Sequence, residues 1–344
     1  MKKDLLLNLL RNDYLKYADK DEKKNHYSKL GEISYLNIKK KGINTFRKSS
    51  DGCGLGYSDA ILLDATVLTS GIKRLIIWFL NTISFNRIFE QQKIISRRLF
   101  DDRIRYSNFV FSKNKNVLRL LKKYKIKNST EFGCDNVFRI NNQLYSTYYL
   151  ELCNKIDFIN SLVNLKKVKT YCEIGGGFGA NIHLIIQNYK NIRKILLIDI
   201  FPTIYIATKY LEKFYGKSVI TYNKIINMKN ISFKNDNSLE IICIPTWEID
   251  RVKIKIDHFH NGDSFSHLGI EKIKKYAQFL MNNSTKVFSI TENDISKEKK
   301  YKTTNPKKFI KLFNDKVKTL KNNFIIEGLR KNKNIFYIGE MRKN

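Results

Sequence analysis

The fold class is decided by the stretch Thr170-Tyr-Cys-Glu-Ile-Gly-Gly-Gly-Phe-Gly-Ala180. A largely apolar run ends at Ile174 and glycines follow at once, which predicts a buried strand that enters a tight loop. Gly175, Gly177 and Gly179 allow a sharp turn and a close approach of the backbone to a ligand. The next residues predict an amphipathic helix with an apolar face formed by Ile182, Ile185, Ile186 and Tyr189. Because the first turn of such a helix presents free amides, the pattern predicts a site for a nucleotide-like cofactor.

Two acidic residues narrow the choice of cofactor. Glu173 lies near the end of the predicted strand, where a buried carboxylate is costly unless a cationic or hydrogen-bonding group meets it. The amino end of S-adenosylmethionine is such a group, whereas a dinucleotide pyrophosphate would be repelled. Asp199 ends the next apolar run, where a carboxylate can accept hydrogen bonds from ribose hydroxyls. The glycines also satisfy the looser dinucleotide pattern, since Ala180 follows them, so an NAD(P)-dependent oxidoreductase stays open as an alternative.

Short apolar runs alternate with helical patterns from residue 169 onward, which predicts β-α-β units and a parallel sheet. The candidate strands are 169–174, 194–199, 218–222, 239–244, 254–260 and 286–291. Two further runs, 324–329 and 335–341, are separated by only five residues, which predicts an antiparallel hairpin. The predicted fold class is therefore α/β, with a Rossmann-like and mostly parallel sheet that ends in a C-terminal antiparallel hairpin.

The first half of the chain has a different character. Helical spacing recurs there, for example in Val117, Leu118, Leu121 and Tyr124, and again from Tyr145 to Ile159. We predict a mainly helical N-terminal region, residues 1–150, that caps the substrate, and a catalytic domain, residues 151–344. The glycine-rich stretch 51–56 lacks the ending of a phosphate loop and is interpreted as a turn, with contact to substrate as the alternative.

Composition excludes several classes of protein. The 344 residues are 42% hydrophobic, which excludes a disordered chain, and the longest apolar run, 75–80, is far shorter than a membrane-spanning helix. Five scattered cysteines form no C-x-x-C pair, so we expect a reducing cytoplasm, and we see no signal peptide.

The charge is strongly basic, with 64 Lys and Arg against 32 Asp and Glu, a net +32. Residues 295–344 hold fifteen basic and four acidic residues. We interpret this diffuse excess first as solvated surface. The alternative is attraction to an anionic substrate, nucleic acid or an anionic membrane surface on which the protein would sit peripherally.

The residues resemble class I S-adenosylmethionine-dependent methyltransferases over about residues 145–344. The shared features are E-x-G-x-G-x-G after the first strand, an acid that ends the second strand, and the terminal hairpin. A narrower resemblance, to sugar O-methyltransferases of bacterial surface-polysaccharide clusters, rests on the blocks 172–181, 198–202 and 256–265. It implies methyl transfer to a hydroxyl of a sugar, nucleotide-sugar or glycan precursor. His267 departs from the family pattern, in which a glutamate follows Ser-Phe-x.

Methyl transfer to an alcohol requires a base, and three of the five histidines lie within ten residues at the end of the fifth candidate strand. We therefore take His260, His267 and His258 as candidate bases, with Asp263 as base or base-orienting residue. His258 and His260 share one face of the predicted strand, so either also fits a hydrogen-bonded core histidine. A metal held by Asp257, His260, Asp263 and His267 is a weaker alternative, because the spacing matches no known metal motif.

The remaining cofactor contacts are predicted from position in the fold. Thr246 and Trp247 follow a strand and occupy the region that borders adenine, and Asn261 either contacts the cofactor or shapes the turn. The cofactor-binding set is therefore Glu173, Gly175, Gly177, Gly179, Asp199, Thr246, Trp247 and Asn261. A nucleic-acid-binding protein or RNA methyltransferase is disfavoured, because Asn261-Gly-Asp-Ser stands where base-directed enzymes carry an N-P-P-Y-type tetrapeptide. The oligomeric state stays open.

Overall fold

A computed structural model describes residues 4–24, 26–48, 111–293, 304–322 and 334–342. The helices in these ranges are α1 (Leu5–Tyr17), α2 (Lys20–Lys24), α3 (His26–Lys41), α4 (Lys115–Lys123), α5 (Thr147–Leu162), α6 (Ala180–Asn188), α7 (Thr203–Tyr215), α8 (Tyr222–Ile225), α9 (Ile270–Asn282) and α10 (Pro306–Phe309). The strands are β1 (Val137–Ile140), β2 (Gln143–Ser146), β3 (Thr170–Ile174), β4 (Lys194–Asp199), β5 (Val219–Ile220), β6 (Glu240–Pro245), β7 (His258–Gly262), β8 (Val287–Asn293), β9 (Lys318–Asn322) and β10 (Asn334–Glu340).

Eight of the strands form one sheet in the order β5-β6-β4-β3-β7-β8-β10-β9. Strands β3 to β8 run parallel, and β10 is antiparallel to both of its neighbours. This confirms the predicted fold class, a mostly parallel Rossmann-like sheet with an antiparallel C-terminal hairpin. The chain leaves β3 toward β4 on one side and later returns to β7 on the other, so the topological switch point lies between β3 and β7. Ligands of open α/β sheets bind at this point.

The predicted strands agree with the sheet, with three differences. β5 is short because α8 begins at Tyr222. β7 begins only at His258, because the backbone N–H groups of Ile254 and Ile256 donate to the Asn283 side chain and carbonyl instead of to a strand. β9 (Lys318–Asn322) lies before the predicted run 324–329, which falls outside the described residues.

Helices pack against the sheet, and the predicted apolar face of α6 is buried. Ile182, Ile185 and Ile186 of α6 and Ile204 and Leu211 of α7 are buried. α6 starts directly after Gly179, and α7 ends at its C-cap, Gly216. These two helices therefore fix the loops that follow β3 and β4, the loops that carry the predicted cofactor residues.

The N-terminal region contains helices α1 to α4 together with a hairpin, β1 and β2, that the sequence analysis did not predict. Asn141 and Asn142 both have positive φ, 50° and 61°, and connect the two strands. This is the geometry of a type I′ turn, for which asparagine is well suited. Tyr145 accordingly lies in β2, and the predicted helix begins at Thr147. The predicted division at residue 150 falls within α5.

The first helix is attached to the sheet domain by polar contacts. The Tyr205 hydroxyl donates to Asp4 Oδ2 at 2.6 Å, and the Tyr222 hydroxyl donates to Asp13 Oδ2 at 2.8 Å. These contacts bring the N-terminal helices to the edge of the sheet where β4 and β6 end. The glycine-rich stretch 51–56 lies outside the described residues.

Across the described ranges, no helix combines the length and apolarity needed to cross a membrane. Cys153, Cys172 and Cys243 are buried free thiols.

Candidate active site

A cavity of about 510 Å³ opens at the carboxyl ends of β3, β4 and β7, at the topological switch point. The strand ends and the loops that follow them form its floor, and α2 and α9 form its other walls. The residues of the floor are Ile174, Gly175, Gly177, Ile198, Asp199, Ile200, Gly262, Asp263, Ser264 and His267. Sequence elements that are far apart in the chain therefore meet in one site.

The three predicted glycines of the loop have different surroundings. Gly175 has a φ of +75°, and a Cβ atom built there would lie 2.2 Å from Ser264 Oγ, so the loop and the segment after β7 approach too closely for a side chain. Gly177 has a φ of +59°, and a Cβ atom built there would meet no atom of the described residues within 4 Å, so this side of its backbone is open to the cavity. Gly179 is the N-cap of α6, and a Cβ atom built there would lie 3.1 Å from the Leu211 side chain and not in the cavity.

Asn261 holds the loop in place from below. Its Nδ2 donates to the Ile174 carbonyl and to Ser264 Oγ, both at 2.6 Å, and its Oδ1 accepts from the Phe265 N–H at 3.2 Å. The side chain is fully buried. Of its two predicted roles, the geometry favours shaping the turn.

Glu173 is buried at the end of β3, and only one of its two carboxylate oxygens has a hydrogen-bond partner among the described residues. Oε1 accepts from Asn181 Nδ2 at 3.1 Å, whereas Oε2 has no hydrogen-bond partner among the described residues. Burial raises the pKa of this carboxyl to about 8, and the charge of Asp199 adds to the shift. A cationic or hydrogen-bond-donating ligand near Oε2 would favour the ionised form.

Asp199 lines the cavity at the end of β4. Oδ2 accepts from the Gly177 N–H at 2.9 Å and Oδ1 from the Ile200 N–H at 2.7 Å. Burial nevertheless raises its pKa to about 7, against the effect of these two hydrogen bonds. Each oxygen retains a lone pair that can accept a further hydrogen bond.

The described residues that line the cavity are mainly acidic among those that carry charge, although the chain as a whole is strongly basic. Five carboxylates line it, against one lysine and one histidine among the described lining residues. The carboxylates are Asp19, Asp21, Glu22, Asp199 and Asp263. Such a wall attracts a cationic occupant and disfavours one that carries several phosphates.

The contribution of α2 and α9 to this site was not predicted from the sequence. Asp19 and Glu22 reach the cavity from the N-terminal region, and Lys272 and Tyr276 reach it from α9. No local pattern marks these residues, because charged residues of this kind are common on exposed helices.

The three histidines near the end of β7 differ in burial. His258 Nε2 lies 2.9 Å from Ser289 Oγ, and His260 Nδ1 lies 2.9 Å from the same atom. Both rings are buried, and neither lines the main cavity or the smaller one that adjoins it. Burial lowers the pKa of each imidazole to about 3. His267 and Asp263 do line the main cavity. The geometry therefore brings His267 and Asp263 together at the site and keeps His258 and His260 in the core.

The four-residue metal set is not brought together. Asp257 accepts from the N–H groups of Lys169 and Thr170 at 2.9 and 3.0 Å, at the beginning of β3 and thus at the opposite edge of the sheet. Within the described ranges, no three His, Cys, Asp or Glu side chains are grouped to hold a metal ion. Asp257 is therefore too far from Asp263 and His267 to bind a metal ion together with them.

Thr246 and Trp247 lie on a second cavity of about 380 Å³ that adjoins the first. The two cavities share Asp19, Thr246, Lys272 and Tyr276. Trp247 lines only the second cavity, and its Nε1 donates to the Tyr222 hydroxyl at 3.2 Å. An extended ligand could therefore occupy both spaces past Thr246.

No family model matches the sequence, and no curated protein matches it. Among solved structures, the chain is similar to the methyltransferase domain of bacterial CtHen1, with 13% identity, a TM-score of 0.36 and coverage of 54% of this chain and 96% of that domain. It is also similar to magnesium protoporphyrin IX methyltransferase from Synechocystis PCC 6803 with bound S-adenosylmethionine, with 11% identity, a TM-score of 0.36 and coverage of 56% and 79%. Human N-acetylserotonin methyltransferase in complex with S-adenosylmethionine gives 10% identity, a TM-score of 0.37 and coverage of 57% and 54%. The similarity concerns fold alone.

Proposed function

We propose that this protein is an S-adenosylmethionine-dependent O-methyltransferase that acts on a sugar hydroxyl. The observation that carries the proposal is the acidic cavity at the switch point, which Gly175, Gly177 and Asp199 line, with the buried Glu173 carboxyl packed behind the glycine loop. The cofactor carries a sulfonium and an ammonium group, so the acidic wall suits it. The same wall would repel the pyrophosphate of a nicotinamide dinucleotide.

The residues present fit this cofactor. Glu173 offers a buried carboxylate oxygen without a partner in the described structure, Gly177 offers open backbone, and Asp199 retains lone pairs beside it. We assign binding to these three residues, with Gly175 and Asn261 fixing the loop. When bound, S-adenosylmethionine supplies an electrophilic methyl group.

The chain itself would have to remove the proton of the attacking hydroxyl. We assign this step to His267, with Asp263 as the residue that orients it or replaces it as base, because both side chains line the cavity. His258 and His260 are better suited to the core, since their lowered pKa values make them weak bases.

The sugar acceptor is proposed from the three sequence blocks quoted above, and the N-terminal region would cap it. The position of α2 on the cavity wall supports a capping role for that region. The buried free thiols agree with a reaction in the cytoplasm. The phosphates of a nucleotide-sugar or a lipid-linked glycan would be attracted by the basic surface outside the acidic cavity, so that only the uncharged sugar would enter it.

Two measurements test the proposal. Calorimetry should show binding of S-adenosylmethionine and no binding of NAD⁺ or NADP⁺ under the same conditions. Incubation with methyl-labelled S-adenosylmethionine and a panel of nucleotide-sugars and glycans should then transfer the label to one acceptor class. Absence of cofactor binding would overturn the proposal, and transfer to a small non-sugar alcohol would overturn its sugar part.

A further inference from the structure

Among the described carboxylates that the N-terminal region brings to the cavity, Glu22 on α2 is the most deeply buried. Its residue exposure is only 6%, and it lies on the same cavity wall as Asp199 and Thr246. Oε2 accepts from Thr246 Oγ1 at 2.7 Å. Oε1 is buried and has no hydrogen-bond partner within the part of the chain that the structure describes.

Contacts with three other residues hold Glu22 in this position, one through its backbone and two through its carboxylate. Its own N–H donates to Asp19 Oδ1 at 2.7 Å. Lys272 of α9 forms an ion pair with Asp19 and lies 3.5 Å from Glu22 Oε2. Thr246 contributes the contact from the segment after β6. All of these contacts involve Oε2 or the backbone, so they leave Oε1 oriented without satisfying it.

A buried acceptor without a partner is unfavourable, and in a native structure a ligand or a water molecule commonly satisfies it. Glu22 lies on the side of the cavity formed by the ends of β4 and β6, whereas Asp263 and His267 follow β7. The carboxylate therefore faces the half of the cavity assigned above to the cofactor and not the half assigned to proton removal.

We propose that Glu22 is a cofactor-binding residue and that Oε1 accepts a hydrogen bond from the nucleoside part of S-adenosylmethionine. This inference rests on the proposed function. The ribose hydroxyls and the exocyclic amine of adenine are donors of the required kind. Since Glu22 belongs to the N-terminal region, cofactor binding is coupled to the docking of α2 onto the sheet domain.

The test compares the wild type with Glu22→Gln. Glutamine can keep the bond from Thr246, but it places an amide donor where Oε1 was an acceptor. S-adenosylhomocysteine serves as the probe because it is not consumed. We expect its dissociation constant to rise roughly 10- to 100-fold in the variant, the range for a lost hydrogen bond to a charged group.

Glu271→Gln is the matched control. It makes the same chemical change on α9 beside Lys272, but its side chain is 74% exposed and does not line the cavity. Affinity in this variant should stay within about twofold of the wild type, because exposed ion pairs contribute little. Glu22→Asp, which withdraws the oxygens by one methylene, is a second variant that should also weaken binding if Glu22→Gln fails to fold.

Hydrogen exchange provides a readout that is independent of activity. Addition of S-adenosylhomocysteine should slow exchange in residues 19–24 of the wild type and of Glu271→Gln, but not in Glu22→Gln. Equal affinity and equal protection in the folded Glu22 variants would overturn the role of Glu22 while the proposed function stands. Failure of the wild type to bind either S-adenosyl compound would instead overturn the proposed function and this inference with it.

Discussion

Glu173 allows a direct test of whether the cavity holds a cationic ligand. Burial raises its pKa to about 8, so without ligand the carboxyl is largely protonated at neutral pH. A ligand group that donates to Oε2 favours the ionised form, and binding must then release the proton. We therefore expect the affinity for S-adenosylmethionine to increase as the pH rises toward 8.

The magnitude follows from the ionised fraction. With a pKa of about 8 in the free protein and full ionisation in the complex, that fraction rises from about 1% at pH 6 to about one half at pH 8. The expected gain in affinity is about 50-fold, or about 2.3 kcal/mol. Glu173→Gln removes this titration, while the amino group of the ligand titrates in both proteins. The ratio of the two affinities therefore isolates the contribution of Glu173.

Calorimetry at pH 6, 7 and 8, in two buffers of different ionisation enthalpy, measures both the affinity ratio and the number of protons released. A ratio that stays constant over this range, with no proton release by the wild type beyond that of the variant, would refute the assignment of a cationic or donor group to Glu173. A constant ratio with strong binding would mean that the carboxyl stays protonated in the complex.

Further outcomes are expected from stability, binding, turnover and salt. Because the folded-state pKa of Glu173 is raised, the stabilising contribution of this residue is lost as the pH rises through about 8. In thermal unfolding without ligand, Glu173→Gln should therefore be more stable than the wild type by a few kcal/mol at pH 9 and nearly equal to it at pH 4.5. A variant less stable than the wild type at pH 9 would contradict this. Gly177→Val should abolish cofactor binding in calorimetry while the far-UV spectrum persists, and retained affinity would place the ligand elsewhere. His267→Ala should lower turnover by ~10²–10⁴ with cofactor affinity nearly unchanged, whereas His260→Ala should mainly lower the melting temperature; the reverse pattern would make His260 the base. If the basic surface guides an anionic acceptor, kcat/KM should fall as the salt concentration rises while kcat changes little. Joint replacement by Gln of Lys299, Lys300 and Lys302, which lie outside the described residues, should then make kcat/KM less dependent on salt. An unchanged salt dependence would assign those lysines to solvated surface.

The parts of the site that are continuous in sequence could be predicted from the sequence. The glycine loop and Asp199 each follow a strand directly, and the carboxyl ends of adjacent parallel strands meet at one edge of a sheet. Their approach in space is therefore a consequence of the strand order. The Gly177 N–H that donates to Asp199 shows how close the two loops come.

The parts that depend on tertiary packing could not be predicted in this way. Strand alternation places His258 and His260 on one face of β7, but only the neighbouring strand shows that Ser289 meets both rings there. Glu22 is separated from Thr246 by more than two hundred residues, and no periodicity links them. The β1–β2 hairpin was missed because its signal is the pair Asn141 and Asn142, which the helical pattern of the following residues obscured.

The hydrogen bonds of Asn261 set the width of the crevice between β3 and β7 before any ligand arrives. The bond from its buried amide to the Ile174 carbonyl crosses from β7 to the end of β3, and its bonds with Ser264 and Phe265 fix the turn after β7. The two sides of the crevice therefore cannot separate without breaking the bond to Ile174. Little ordering entropy then remains to be lost on this side of the crevice when a ligand enters. Induced adjustment is consequently expected on the opposite wall, where α2 is held through side chains instead of through the sheet.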